Sequence, residues 1–272
     1  MELPRHTRLR VRTRVFGLLL ALGACRGRHE HVASVPDLGY PRCADAGPAN
    51  RTSVLAERHL RSGETSLERN IVEDYWIHDR GCTLVVTSRQ EWRLGAADVE
   101  VVYDRDWNPL RAWRRNTLPM SPREDGGADT RRYELRTPEV TIKRRSPDGI
   151  AYEVLHGTRP RVVIASGRGV LSAWLRRARL SPGQQVREPA LDVRETIETI
   201  RAVTLRREAD LVVPWRSRPV RAYTIYGREP ILADENDFVI GDLAGLRPAE
   251  TVRGPLPPRL PTYGGADPLG TP

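Results

Sequence analysis

The sequence predicts a mainly β protein: an antiparallel β half-barrel, or strongly curved sheet of hairpins, with one amphipathic helix packed against it. Three observations carry that expectation. Between about 63 and 253, short runs alternate apolar and polar residues with the period of two that a half-buried strand requires. Glycine, proline, asparagine and aspartate recur between those runs at hairpin spacing. One segment, about 169–180, changes to a helical period.

The N-terminal residues belong to no fold. The chain has 272 residues and a formal net charge of +9, which points at first toward nucleic acid. Arg5, Arg8, Arg10, Arg12 and Arg14 stand against Glu2 alone in the first fourteen residues, so much of the excess sits at one end. Lys143 is the only lysine, a skew that reads as codon habit more than as a binding surface. Val15 to Ala24 is an apolar run too short to span a bilayer, which takes roughly 17–25 residues. A basic start followed by a short apolar run is the layout of a secretory signal, expected over 1–24.

Leu22-Gly23-Ala24-Cys25 resembles the lipobox of bacterial lipoproteins. The resemblance implies cleavage before Cys25, thioether attachment of diacylglycerol to its sulfur, and acylation of the new amine. Several acyl chains anchor stably where a single one does not. Arg26 stands where an aspartate is the usual signal for inner-membrane retention, which by the same resemblance favours the outer membrane, facing the periplasm. Export argues against a nucleic-acid partner.

Removing Cys25 leaves Cys43 and Cys82, expected to pair in an oxidising compartment. The bridge would close a loop of about 40 residues and stabilise by about 4 kcal/mol in the chain-entropy account. Residues 25–62 read as the lipidated N-terminus and a tether, polar and proline-bearing, with a short helix expected over Ser53-Val54-Leu55-Ala56-Glu57.

The β-rich periplasmic domain follows, over 63–253. Ile71 to His78 places Ile71, Glu73, Tyr75 and Ile77 on one face and Val72, Trp76 and His78 on the other; Asp79-Arg80-Gly81 then turns into Cys82–Thr87. Val99, Val101 and Tyr103 alternate with Asp98 and Glu100 before the turn Asp104 to Pro109 and the strand Leu110–Arg114. Tyr133 and Leu135, then Val140 and Ile142, then Tyr152 and Val154 continue the meander across Thr137-Pro138-Glu139 and Pro147-Asp148-Gly149. Val170, Leu171, Trp174, Leu175 and Ala178 make one helical stripe, ended by Ser181-Pro182-Gly183, with Ser166 as its lead-in. Strands are expected again at 200–207, 211–214, 220–226, 230–233 and 238–240. The tail, 254–272, holds six prolines and four glycines and cannot build a core.

A sheet of hairpins, the turn Asp106-Trp107-Asn108-Pro109, the helix end Leu180-Ser181-Pro182-Gly183 and the closing run Arg221–Tyr226 together resemble the half-barrel lipoprotein-localisation carriers and related periplasmic domains of unknown function. The resemblance covers about 65–250. It implies an apolar concavity for acyl chains between helix and sheet, with Val170, Leu171, Trp174 and Leu175 as its candidate lining.

Catalytic and metal chemistry find little purchase. Ser166 lacks the glycine two residues earlier that a nucleophile elbow needs. His29, His31, His59, His78 and His156 are scattered, with no H-E-x-x-H. Asp234, Asn236 and Asp237 suit a hairpin turn better than a calcium loop, and Gly167-Arg168-Gly169 is a bare G-x-G. The pairs Arg114/Arg115, Arg131/Arg132, Arg144/Arg145, Arg176/Arg177 and Arg206/Arg207 are expected as solvated faces balanced by nearby acids. The expected function is noncatalytic, without metal or cofactor: a membrane-anchored lipoprotein that binds or carries a lipidic ligand. The alternative is a structural lipoprotein docking an envelope protein.

Overall fold

Strands β1 (Ser53–Ser62), β2 (Val72–Asp79), β3 (Leu84–Trp92), β4 (Gly95–Tyr103), β5 (Pro109–Thr117), β6 (Asp129–Glu134), β7 (Val140–Ser146) and β8 (Gly149–Leu155) run up and down as one antiparallel meander. The structure is a computed structural model that describes residues 53–63, 70–92, 95–117, 129–146, 149–194, 197–228 and 230–252. The expected signal segment, Cys25, Cys43, most of the tether and the tail lie outside the described residues.

After the meander come β9 (Val162–Ile164), a 3-10 turn over Arg168–Leu171, α1 (Ser172–Ala178), β10 (Gln185–Asp192), β11 (Thr199–Arg207), β12 (Arg221–Ile225), β13 (Ile231–Ala233), β14 (Val239–Asp242) and β15 (Leu246–Pro248). β9 to β14 form a curled second sheet, antiparallel except where β9 runs parallel to β10. β15 crosses back and pairs with β1, so the larger sheet has nine strands in the order β15-β1-β2-β3-β4-β5-β6-β7-β8. The fold is mainly β, with a half-barrel sheet, a large antiparallel sheet and one short helix.

The expected short helix over Ser53–Glu57 is instead the start of β1. Alanine, leucine, glutamate and arginine favour a helix locally, but pairing with β2 on one side and β15 on the other prevails, and Ala56 and Leu60 turn inward. The β domain therefore includes Ser53–Ser62, which had been assigned to the tether. The helix about 169–180 is present in shorter form, and Arg179 in the left-handed conformation ends it, just before Ser181-Pro182-Gly183. Gly167, not Ser166, precedes the 3-10 turn, and no side chain caps it.

Alternation along β2 to β7 sends Tyr75, Ile77, Val86, Val99, Val101, Tyr133 and Ile142 to one face. That face packs on β9, the 3-10 turn, α1 and β10 through Val163, Val170, Ala173 and Leu191. Leu171, Trp174 and Leu175 point the other way, into the curled sheet against Val162, Val203, Leu205, Tyr223 and Val239. The helix is thus apolar on two sides because it is wedged between two sheets.

Three of the arginines expected on solvated faces are buried: Arg114, Arg131 and Arg207 are 2, 2 and 3% exposed. Alternation explains it, since one member of each strand pair must face inward. Arg131 pairs with Glu198, which also accepts from the Tyr133 hydroxyl at 2.7 Å, and Arg114 donates to the carbonyl of Val193. These bonds tie Val193 and Glu198, which flank the connection from β10 to β11, to β5 and β6. Arg207 pairs with Asp210 and lies 5.0 Å over the Tyr223 ring.

Candidate functional site

A groove of about 1160 Å³ opens between the ends of the two sheets. Ile71, Gln90 and Trp92 form one lip, at the ends of β2 and β3. Ile164, Ala165, Ser166, Arg168 and Leu171 form the base where β9 passes into the 3-10 turn, and Ile225, Tyr226, Arg228, Pro230 and Ile231 form the other lip at the β12–β13 hairpin. Asp242, Ala244 and Arg194 complete the wall.

The base is set by two glycines. The 3-10 turn crosses β2 and β3 so closely that a Cβ on Gly167 would meet the Ser88 hydroxyl at 2.0 Å, and one on Gly169 the Tyr75 ring at 2.3 Å. The bare G-x-G of the sequence is therefore a close-approach device that leaves Arg168 as the only side chain of the three, directed at the groove. Arg168 donates to Asp242 at 3.1 Å, and Asp242 accepts the Leu246 amide at 3.0 Å. The base of the groove is thereby tied to the β14–β15 crossing.

Behind Gln90 lies Glu73, fully buried. Its carboxyl accepts from the Gly169 amide at 2.7 Å, the Ser88 hydroxyl at 3.1 Å and the Gln90 amide at 3.4 Å. Burial pushes its pKa up, against the pull of those donors and of Arg168. At the far rim Asp192 takes Arg194 at 2.6 Å and Arg201 at 2.7 Å, and the Arg201 guanidinium lies 5.0 Å over the ring of Tyr226. Burial acts to raise the Asp192 pKa, but the hydrogen bonds from the Arg194 side chain and backbone and from Arg201 hold it below the ordinary range.

The walls combine aliphatic and aromatic side chains with the polar Gln90, Ser166 and Arg228, and Arg168 and Arg194 are engaged by Asp242 and Asp192. Among the described residues no group of three or more His, Cys, Asp or Glu could hold a metal. Asp234 accepts the Asn236 and Phe238 amides and pairs with Arg58, while Asp237 holds Arg221 at 2.7 Å and the Tyr223 hydroxyl at 2.6 Å. These acids build a turn, as their spacing suggested.

Of the four residues expected to line a cavity, Leu171 lines this groove. Val170, Trp174 and Leu175 are core, 1, 2 and 0% exposed, because this part of the helix is packed between the two sheets. The cavity lies beside the 3-10 turn. Sequence reasoning missed Ile71 and Trp92 as a lip, and Tyr226 and Arg228 on a hairpin; the Tyr226-Gly227 turn, with both residues at positive φ, was the one legible sign.

A second cavity, about 600 Å³, sits at the C-terminal end of α1 and is polar. Arg176 there lies between Trp107 and Phe238, 5.2 and 4.4 Å from their ring centres, and burial lowers its pKa. Arg207 and Arg221 in this cavity are held by Asp210 and Asp237.

No protein-family model matches the chain, and no curated protein does. A crystal structure of a DUF1089 family protein from Pseudomonas aeruginosa is similar at 15% identity, over 62% of this chain and 87% of that one, with a TM-score of 0.42. A likeness of that size carries no argument about function. No helix among the described residues is long and apolar enough to cross a membrane.

Proposed function

We propose that the chain is a noncatalytic, lipid-anchored bacterial lipoprotein, standing on the periplasmic face of the outer membrane, that binds a lipidic ligand in the groove between its two sheets. The groove carries this reading. Ile71, Trp92, Ile164, Leu171, Ile225 and Ile231 offer apolar surface on both lips and at the base for an acyl chain. Tyr226 and Arg228, exposed on the β12–β13 hairpin, supply donors at its rim for a polar headgroup.

Anchoring through Cys25 and a Cys43–Cys82 bridge belong to the same reading. Ser53 pairs with Asp79, so the chain enters β1 beside the turn that carries Cys82. Cys43 lies only ten residues upstream of Ser53, a span that reaches that turn.

Native mass spectrometry of the protein from a Gram-negative host should find bound lipid, and a fluorescent fatty acid should bind. Trp92→Ala and Ile71→Glu, at half-buried positions of the lip, should weaken the probe at least about tenfold. An empty protein that ignores the probe overturns the ligand. Cys25→Ala should abolish labelling by radioactive fatty acid; persistent label overturns the anchor.

A further inference from the structure

We propose that β8 is a self-association edge, where the chain pairs antiparallel with a second copy about a two-fold axis at Tyr152. β8 ends the larger sheet, and none of its seven residues is buried. Ile150, Tyr152 and Val154 share one face and are 55, 55 and 40% exposed. Native sheets normally shorten, charge or cover such an edge, because its free N–H and C=O groups template another strand.

The occupant follows from the sequence of the strand. Spacing about Tyr152 is self-complementary: Ile150 falls opposite Val154 of the partner subunit, and Tyr152 opposite Tyr152 of the partner subunit. Apolar meets apolar along one face. On the other face Ala151 falls opposite Glu153 of the partner subunit.

Charge completes the match. Arg144 on β7 is the registered neighbour of Ala151, so the row across the junction would read Arg144, Ala151, Glu153 of the partner subunit. Strands lie about 4.8 Å apart, and alanine is short enough for the guanidinium to reach over it to that carboxylate. Two-fold symmetry makes the bond twice. Lys143 stays behind Tyr152, its Nζ 6.0 Å from the ring centre, and no like charges face each other across the axis. A seven-residue strand pair is small beside the roughly 2,000 Å² or more of a permanent interface, so the association is reversible.

The test uses the full chain in its own membrane. Two residues facing each other at a two-fold bring their Cβ atoms about 5 Å apart, so Tyr152→Cys should crosslink to itself under mild oxidation. Glu139→Cys, at an exposed side chain off the edge, should stay at the background of the unsubstituted chain. In the Tyr152→Cys chain, Arg144→Glu should lower the dimer roughly fivefold, the effect of an exposed ion pair lost, and adding Glu153→Arg should restore it. Equal crosslinking at 139 and 152, or a dimer indifferent to Arg144→Glu, overturns the proposal. Should Tyr152→Cys fail to accumulate, the unsubstituted chain in nonionic detergent decides: concentration-dependent sedimentation as a dimer supports the pairing, and a monomer throughout overturns it.

Discussion

Gly169 lies against the ring of Tyr75 so closely that a Cβ on the glycine would stand 2.3 Å from Cγ. Tyr75 cannot retreat, since it is fully buried on β2 and its hydroxyl donates to the carbonyl of Val239 in the opposite sheet. Gly169→Ala should therefore destabilise the fold by about 3 kcal/mol, as overpacking does. Gly63→Ala, whose Cβ would meet only the end of the Arg247 side chain at 3.8 Å, should be near neutral. Thermal melts of the two variants check the contrast, and equal melting temperatures would count against it.

Glu73 gives the fold a pH dependence. Its folded pKa is raised by burial, so the native state holds its proton longer than the unfolded chain. Its stabilising contribution is full below the ordinary glutamate pKa, about 4.3, and is lost as pH rises toward the folded value. Glu73→Gln removes that slope. Relative to the parent protein, the variant should gain stability between pH 4 and 8; a constant offset across that range would contradict the assignment.

Asp192 runs in the opposite sense. Its folded pKa is lowered, so the stability it supplies is present above the ordinary aspartate pKa, about 3.9, and is lost as pH falls through the folded value. Asp192→Asn should cost roughly 1–3 kcal/mol at neutral pH. Denaturation of the two proteins should converge in acid.

His59 is the exposed end of a row of alternating charge that runs across the larger sheet through Asp74, Arg89, Asp98 and Arg115. A 2.7 Å hydrogen bond to Asp74 raises the histidine pKa. An NMR titration should place His59 above the ordinary value of about 6.5, and Asp74→Asn should bring it down. The pair stabilises below that ordinary value, and its contribution fades as pH rises through the His59 midpoint.

Core and groove separate by substitution. Leu175→Ala, at a fully buried position packed into the curled sheet, should cost about 2–5 kcal/mol and leave fatty-acid affinity in the folded protein unchanged. Trp92→Ala should do the reverse. A parallel loss of stability and affinity in both would place the ligand in the core and not in the groove.

The β class, the meander and the helix near Trp174 were legible in the sequence, because a period of two and a period of 3.6 are local properties of the chain. What the helix faces was not. A stripe of Val170, Leu171, Trp174 and Leu175 looks alike whether it borders a cavity or is gripped from both sides, and only long-range pairing separates the two cases. The strand at Ser53–Ser62 was hidden for the same reason, since its partners lie in β2 and β15. Arg114 and Arg131 read as surface residues because the acid that admits them to the interior, Glu198, is distant in sequence. The groove draws its walls from six separate stretches of chain, none of which carries a signature alone.

β15 pairs with β1, placing Leu246 beside Ser62. The first and last strands of the described domain are thus neighbours, and this junction closes the longest loop in the molecule. Order of synthesis and order of assembly are consequently at odds: the meander can zip strand by strand as it emerges, but the flank of β1 waits for residues near 248. Such long-range closure is slow. Until the last strand is delivered, the Leu60–Ser62 flank of β1 stays an open sheet edge.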